Sequence, residues 1–199
     1  MKIYDISQEV FSCEVFPGDE PPQKEEVMRM SEGALYNLTS LHMCAHNGTH
    51  VDAPFHFIAD GATIEQMPLD KMIGPAFVVA ADGEVTESVA KEILKKANSA
   101  DKEAARKLLI KGRGVVSAEA AEVFAQAGVD LIGVELQSVG PVDAPMAVHK
   151  VLLGAEVVLL EGIRLGEVKE GVYILNAAPI SLGGSDGAPC RAVLLDLQE

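Results

Sequence analysis

The chain has 199 residues, 48% hydrophobic and 23% charged, the balance of a globular rather than a disordered protein. Its length suits a single domain, 1–199, that buries roughly 70% of its extended surface without crosslinks. A formal charge of −14, from 30 acidic against 16 basic residues, repels phosphate backbones and anionic lipid and argues against nucleic-acid and membrane partners.

Cys13, Cys44 and Cys190 are too scattered for a disulfide framework or a thiolate zinc site. "MKIYDISQEV" lacks the apolar core of a signal peptide, and no stretch approaches a membrane span. The expected compartment is the cytoplasm.

In chain order, "FPGDEPP" reads as a turn, followed by a charged stretch to about Gly33. "YNLTSLHMCAH" (36–46) alternates, which predicts a strand with Leu38, Ser40, His42, Cys44 and His46 on one face. "AFVVA" (76–80) suits a buried strand. Apolar Val89, Ile93 and Leu94 fall at helical spacing between Thr86 and about Asn98, and "LLIKG" reads as the next strand. Ser117 is placed to cap a helix over "AEAAEVFAQA", with Gly128 as its stop.

"DLIGVE" (130–135) is then a strand, "APMAVHKVLLG" a helix ended by Gly154, and "EVVLLEG" (156–162) a strand. "VYILNAAP" and "RAVLLDL" close the chain as strands. This interleaving predicts an α/β layered fold.

The segment "HNGTHVDAPFHF" (46–57) concentrates chemistry, holding three of the five histidines and an aspartate. Gly48, the β-branched Thr49 and Val51, and Pro54 make it a poor helix, so His46 is expected at a strand end and the other candidate ligands on the loop after it. Gly48 lets the chain double back, so that His50 and Asp52 converge with His46. Ala53, preceding a proline, is biased to an extended shape, and Pro54 directs His56 in from another side.

Two imidazoles and a carboxylate suit zinc, manganese or iron and leave positions open for water. The plainer alternative is a set of satisfied polar groups around a turn. His149 and Glu161 are candidates to complete such a site. Taken alone, His149 suits a surface or capping position better than a ligand's, and Glu161 reads as a strand-end charge.

These residues carry a resemblance. From "DIS" and "FPGD" through "HNGTHVDAPFHF", "LIGVELQSVG" and "HKVLLGAEVVLLEGI" to "GSDGAPCRAVLL", the chain resembles the cyclase family of metal-dependent hydrolases, which includes bacterial kynurenine formamidase and isatin hydrolase. The resemblance implies a swivelling β/β/α fold and hydrolysis of a small amide or formamide by a metal-activated water, in the manner of an arylformamidase. It implies a divalent metal, zinc or else manganese, with two ions per subunit. One would be held by His46, His50 and Asp52. Asp52 and Glu161 would bridge to a second, which His149 also binds.

It also implies that His56 donates and accepts the proton, and that the pocket is formed partly by a partner in a homodimer or homotetramer. Phe16 stands just before the Pro-Gly-Asp, where formamidases usually carry the tryptophan that packs on substrate, and Glu135 stands where the family often has Asp.

Alternatives on the same centre are a cyclase or lyase, a lactam or lactone hydrolase of the isatin hydrolase kind, and a metal-binding protein without turnover. Cys44 beside His46 is a competing nucleophile, though a lone cysteine is usually a packing residue. His42 is expected to pack or to support the ligands. "GSDGAP" (184–189) lacks a P-loop lysine and reads as a turn lining the site near Arg191, whose guanidinium also suits a substrate carboxylate.

Overall fold

The computed structural model describes residues 1–197. The strands are β1 (Lys2–Asp5), β2 (Gln23–Met28), β3 (Leu38–His42), β4 (His50–Asp52), β5 (Ile73–Ala80) and β6 (Gly83–Val85). Helix α1 (Glu87–Ala100) leads to β7 (Lys107–Lys111) and β8 (Gly114–Val116), and α2 (Ala118–Gln126) to β9 (Leu131–Val134). Helix α3 (Met146–Gly154) precedes β10 (Val158–Glu161), β11 (Gly171–Asn176), β12 (Gly187–Pro189) and β13 (Val193–Asp196).

Nine strands form one sheet in the order β1-β13-β11-β5-β7-β9-β10-β4-β12, so the first and last named strands lie side by side. The middle, β5-β7-β9-β10, is parallel. The strands flanking it pair antiparallel: β11 on β5, and β4 on β10. Alternation sorts the side chains between two cores. Phe77, Val79, Leu108, Ile110, Ile132 and Leu159 face the three helices, which bury Ile93, Phe124 and Leu152 against them. Val78, Leu109, Leu131, Leu160 and Val51 face the opposite way. This is the α/β architecture expected, with a curled sheet and three helices.

The helix signals act as their chemistry predicts. Thr86 accepts the Val89 N–H at 3.5 Å and Ser117 the Ala120 N–H at 3.2 Å, and Gly128 turns the chain after α2 at φ 70°. Elsewhere the boundaries shift. Gly154 is the last residue of α3, and the left-handed turn falls on Glu156 at φ 58°, which delays β10 to Val158.

The strand expected over 36–46 ends at His42. The Asn47 side chain accepts the Cys44 N–H at 2.9 Å while its own N–H donates to the Cys44 carbonyl at 3.2 Å, folding the chain into a turn. His42 neither packs nor supports a ligand. It lies in the open, 3.3 Å from Glu20. The charged stretch before Gly33 holds β2, which pairs with β3 in a ribbon whose residues are all exposed.

Gly128 has nothing within 4 Å of the position a Cβ would take, so replacing it tests backbone strain alone. Gly128→Ala is expected to lower stability by about 1–2 kcal/mol in denaturant unfolding, with Gly128→Asn less damaging.

Candidate metal centre

Each residue of the opening motif has a local task. Asn47, fully buried, makes the turn. Gly48 takes φ 71°, a conformation L side chains rarely adopt. Thr49 accepts the Gln8 N–H at 2.9 Å and donates to the Gly162 carbonyl at 2.7 Å, tying the turn to the end of β10. His50 and Asp52 then enter the sheet as β4 rather than lying on a loop. Both are 1% exposed, with Val51 pointing into the core between them. The spacing of two residues looked like loop chemistry because three residues are too few to show alternation.

Register brings the distant candidates in. On β10, Glu161 pairs opposite His50 and Leu159 opposite Asp52. His149 projects from α3, which packs on β10. It is 3% exposed, and so is Glu161, which removes both from the surface readings they would have had alone. The five side chains form two groups that share Asp52: His46 with His50 and Asp52, and Asp52 with His149 and Glu161, the ligand atoms of each group all within 4.8 Å of one another. His46 Nδ1 lies 2.9 Å from Asp52 Oδ1, and His50 Nε2 lies 3.4 Å from the same oxygen. His149 Nε2 is 3.7 Å from Asp52 Oδ2 and 3.4 Å from Glu161 Oε1.

Each of these imidazoles spends its second nitrogen outside the cluster. His50 Nδ1–H donates to the Gly48 carbonyl at 3.0 Å, and His149 Nδ1–H to the Pro145 carbonyl at 2.8 Å. Such bonds fix the tautomer and leave Nε2 as a ligand lone pair. His46 Nε2 lies 2.9 Å from Asp186 Oδ2, which leaves Nδ1 toward Asp52.

The donor set fits a divalent cation. Asp52 Oδ2 is buried without a hydrogen-bond partner. A carboxylate in that state is costly unless a cation answers it. Without an ion, protons do so. Burial favours neutral imidazole, but bonds to Asp186 and Asp52 overcome it and push His46 up to about 11, and Asp52 and Glu161 likewise push His50 up to about 9. His149 is raised as well, its burial outweighed by Glu161. Asp52, despite burial, is held well below the usual carboxylate range by His46 and His50.

The cluster floors a cavity of 210 Å³ whose wall includes Phe16, Phe57, His56 and Ser138. Pro54 opens the short turn that carries His56, and Ala53 before it is extended at φ −95°, ψ 157°. The His56 ring lies 4.1 Å from that of His46. Cys44 does not line this cavity. Its Sγ instead lies 4.0 Å from Asp19, which is on the cavity wall.

Arg191 is also elsewhere, exposed and bonded to Asp5 on β1. Glu135 accepts the Gly112 and Leu165 N–H groups at 2.6 and 2.8 Å and braces loops outside the cluster.

Three site residues escaped the sequence reading. Asp186 lies in the glycine-rich turn. Phe57 stacks at 4.6 Å on His149. Ser138 has a buried hydroxyl without a partner. Phe57 carried a signal as the aromatic that ends the motif, and Asp186 as part of the glycine-rich turn expected to line the site.

A family model described as a putative cyclase matches residues 4–141. A kynurenine formamidase of Salinibacter ruber is 36% identical over 98% of this chain and 98% of its own. A solved structure titled as a potential metal-dependent hydrolase with cyclase activity is 26% identical and superposes with a TM-score of 0.78 over 100% of this chain and 99% of the other. An isatin hydrolase bound to the product analogue thioisatinate shares the fold at a TM-score of 0.82, covering 98% of this chain and 92% of that one at 17% identity.

With His46, His50 and His149 all shifted toward their protonated forms, a metal entering this cluster would have to displace protons. In the metal-free chain the raised histidines contribute stability that is complete below the ordinary value of 6.5 and lost as pH climbs through about 9 and about 11. The melting temperature of that chain should fall across this window. Zinc affinity should rise with pH over its lower part, and titration calorimetry in two buffers of different ionisation enthalpy should read net proton release. Uptake without proton release would contradict the account.

Proposed function

The chain belongs to the putative cyclase family, and from that premise we propose that it is a metal-dependent hydrolase of a small amide or formamide, arylformamidase-like in cutting a carbon–nitrogen bond. The observation that carries this is the buried pair of ligand groups joined at Asp52, one of whose oxygens has no other partner. We assign His46, His50 and Asp52 to one divalent ion and Asp52, His149 and Glu161 to a second. Zinc is the proposed metal, given the imidazole-rich set, with manganese as the alternative.

A divalent ion held by these residues would acidify water and polarise a carbonyl oxygen. The protein's own groups supply the rest. His50 and His149, locked by the Gly48 and Pro145 carbonyls, present fixed lone pairs. Glu161 is aimed by the Val139 N–H, 2.7 Å from its Oε1. His56 has Nδ1 engaged 3.0 Å from Asp186, so Nε2 is the nitrogen that takes a proton and returns it to the leaving amine. Phe16 and Phe57 give the cavity an apolar wall against which an aromatic ring packs and displaces water.

A second reading keeps the centre and changes the substrate to a lactam or lactone, or runs a cyclase or lyase reaction. The apolar Phe16 and Phe57 would pack on a fused ring as they would on an aniline.

We place the protein in the cytoplasm as a homodimer or homotetramer acting on a small molecule, without nucleic-acid or membrane partners. Among the described residues no helix is long and apolar enough to cross a membrane. The assembly is supported by the β2–β3 ribbon, which leaves Val27 and Leu41 49% and 60% exposed. A two-stranded ribbon is at best marginally stable by itself in water, and a second copy would cover it. Sedimentation should give two or four chains per particle, and Val27→Glu with Leu41→Glu should reduce it. A wild-type monomer at micromolar concentration would refute the assembly.

The reaction is tested by measuring bound metal and then screening N-formylanilines and isatin-like rings with zinc and manganese. Formate release from the former is the expected result. Ring opening alone would move the assignment to the second reading, and a loaded but inert protein would leave a binding protein. Asp52→Asn should lose metal and rate together, whereas His56→Gln should keep metal and lose about 100-fold or more in kcat.

A further inference from the structure

Asp186 touches both halves of the machinery with one atom. Its Oδ2 lies 2.9 Å from His46 Nε2 and 3.0 Å from His56 Nδ1, and the two rings it joins are 4.1 Å apart at 30°. We propose that Asp186 is a positioning residue that holds the ligand His46 and the proton-transfer residue His56 in fixed tautomers and at fixed spacing through this shared carboxylate oxygen. The inference rests on the functional reading above, since it takes His46 as a ligand and His56 as the acid–base group.

The backbone around Asp186 is built for this. Its carbonyl accepts the Ala53 N–H at 2.9 Å, which ties it to the residue between Asp52 and the turn bearing His56. The next residue, Gly187, pairs with Asp52 across β12 and β4. A Cβ at 187 would fall 2.7 Å from His46 Cε1 and 2.9 Å from the Val51 carbonyl oxygen, so glycine allows the strand to press against the imidazole while Asp186 caps its far nitrogen. The side chain of Asp186 is itself 40% exposed, so packing does not explain where it points. The two histidines do.

With N–H groups of both rings donating to one carboxylate, His46 presents Nδ1 to the metal cluster and His56 presents Nε2 to substrate. A ring flip in either would break its bond to Asp186. The carboxylate therefore selects the useful nitrogen of each ring and couples their placement.

The test compares wild type, Asp186→Ala and Asp186→Asn as zinc-loaded protein. The substrate is whichever N-formylaniline or isatin-like ring the wild type turns over. Asp186→Ala should lower kcat by about 10–100-fold with KM little changed, and Asp186→Asn, whose amide oxygen can still accept, should recover part of the loss. Long-range ¹⁵N–¹H spectra of the imidazoles should show single tautomers in wild type, Nε2–H for His46 and Nδ1–H for His56, and mixed tautomers of His56 in Asp186→Ala.

Unchanged kcat and unchanged imidazole spectra in a loaded, folded Asp186→Ala would overturn the inference while leaving the hydrolase reading intact. Loss of one bound ion with the His56 tautomer preserved would also overturn it, making Asp186 a ligand. Wild type that binds no zinc would bring down both readings.

Discussion

The carboxylate of Asp52 sets the terms for everything around it. It sits inside the protein at 1% exposure, one oxygen bonded to His46 and close to His50, the other without a hydrogen-bond partner. Desolvating a negative charge to that degree is sustainable only with positive charge packed against it. The molecule meets this by surrounding Asp52 with three imidazoles, which carry protons or, on the reading proposed, surrender them to cations. Binding of metal and loss of protons are then alternative answers to one electrostatic demand.

The sheet makes such a costly arrangement reproducible. The cluster lies at the seam where the parallel middle of the sheet ends at β10 and the antiparallel β4 begins. At that seam a strand of three residues is held by two neighbours. Its alternation sends Val51 one way into the apolar core and both polar side chains the other way, toward α3 and His149. A shift of register by one residue would put Val51 in the site and the charges in the core, which ties the geometry of the centre to the packing of the fold.

Much of this was legible in the residues. Periodicity and caps marked the three helices and the main strands, because long amphipathic segments and side chains such as Ser117 act locally. The cluster declared itself through composition alone, since three histidines and an aspartate rarely crowd so closely without cause.

What stayed hidden depends on contacts distant in sequence. β4 and β12 are too short to show alternation. His149 and Glu161 look ordinary until register sets Glu161 opposite His50. Asp186, 140 residues from His46, does not stand out as a residue within the glycine-rich turn expected to line the site. The face expected for Cys44 failed for the converse reason. The alternation of 36–46 promised a shared face with His46, and Asn47, by bonding back to Cys44, bent the chain before that face existed.

The place of β12 bears on the order of events during synthesis. All five proposed ligands have been incorporated once residue 161 is added, yet β4 remains without one of its two neighbours until residues 187–189 follow. The last lateral support for His50 and Asp52, and the glycine against which His46 rests, are added only after the last of those five residues. A nascent chain therefore carries a complete set of donors before it carries the frame that aims them.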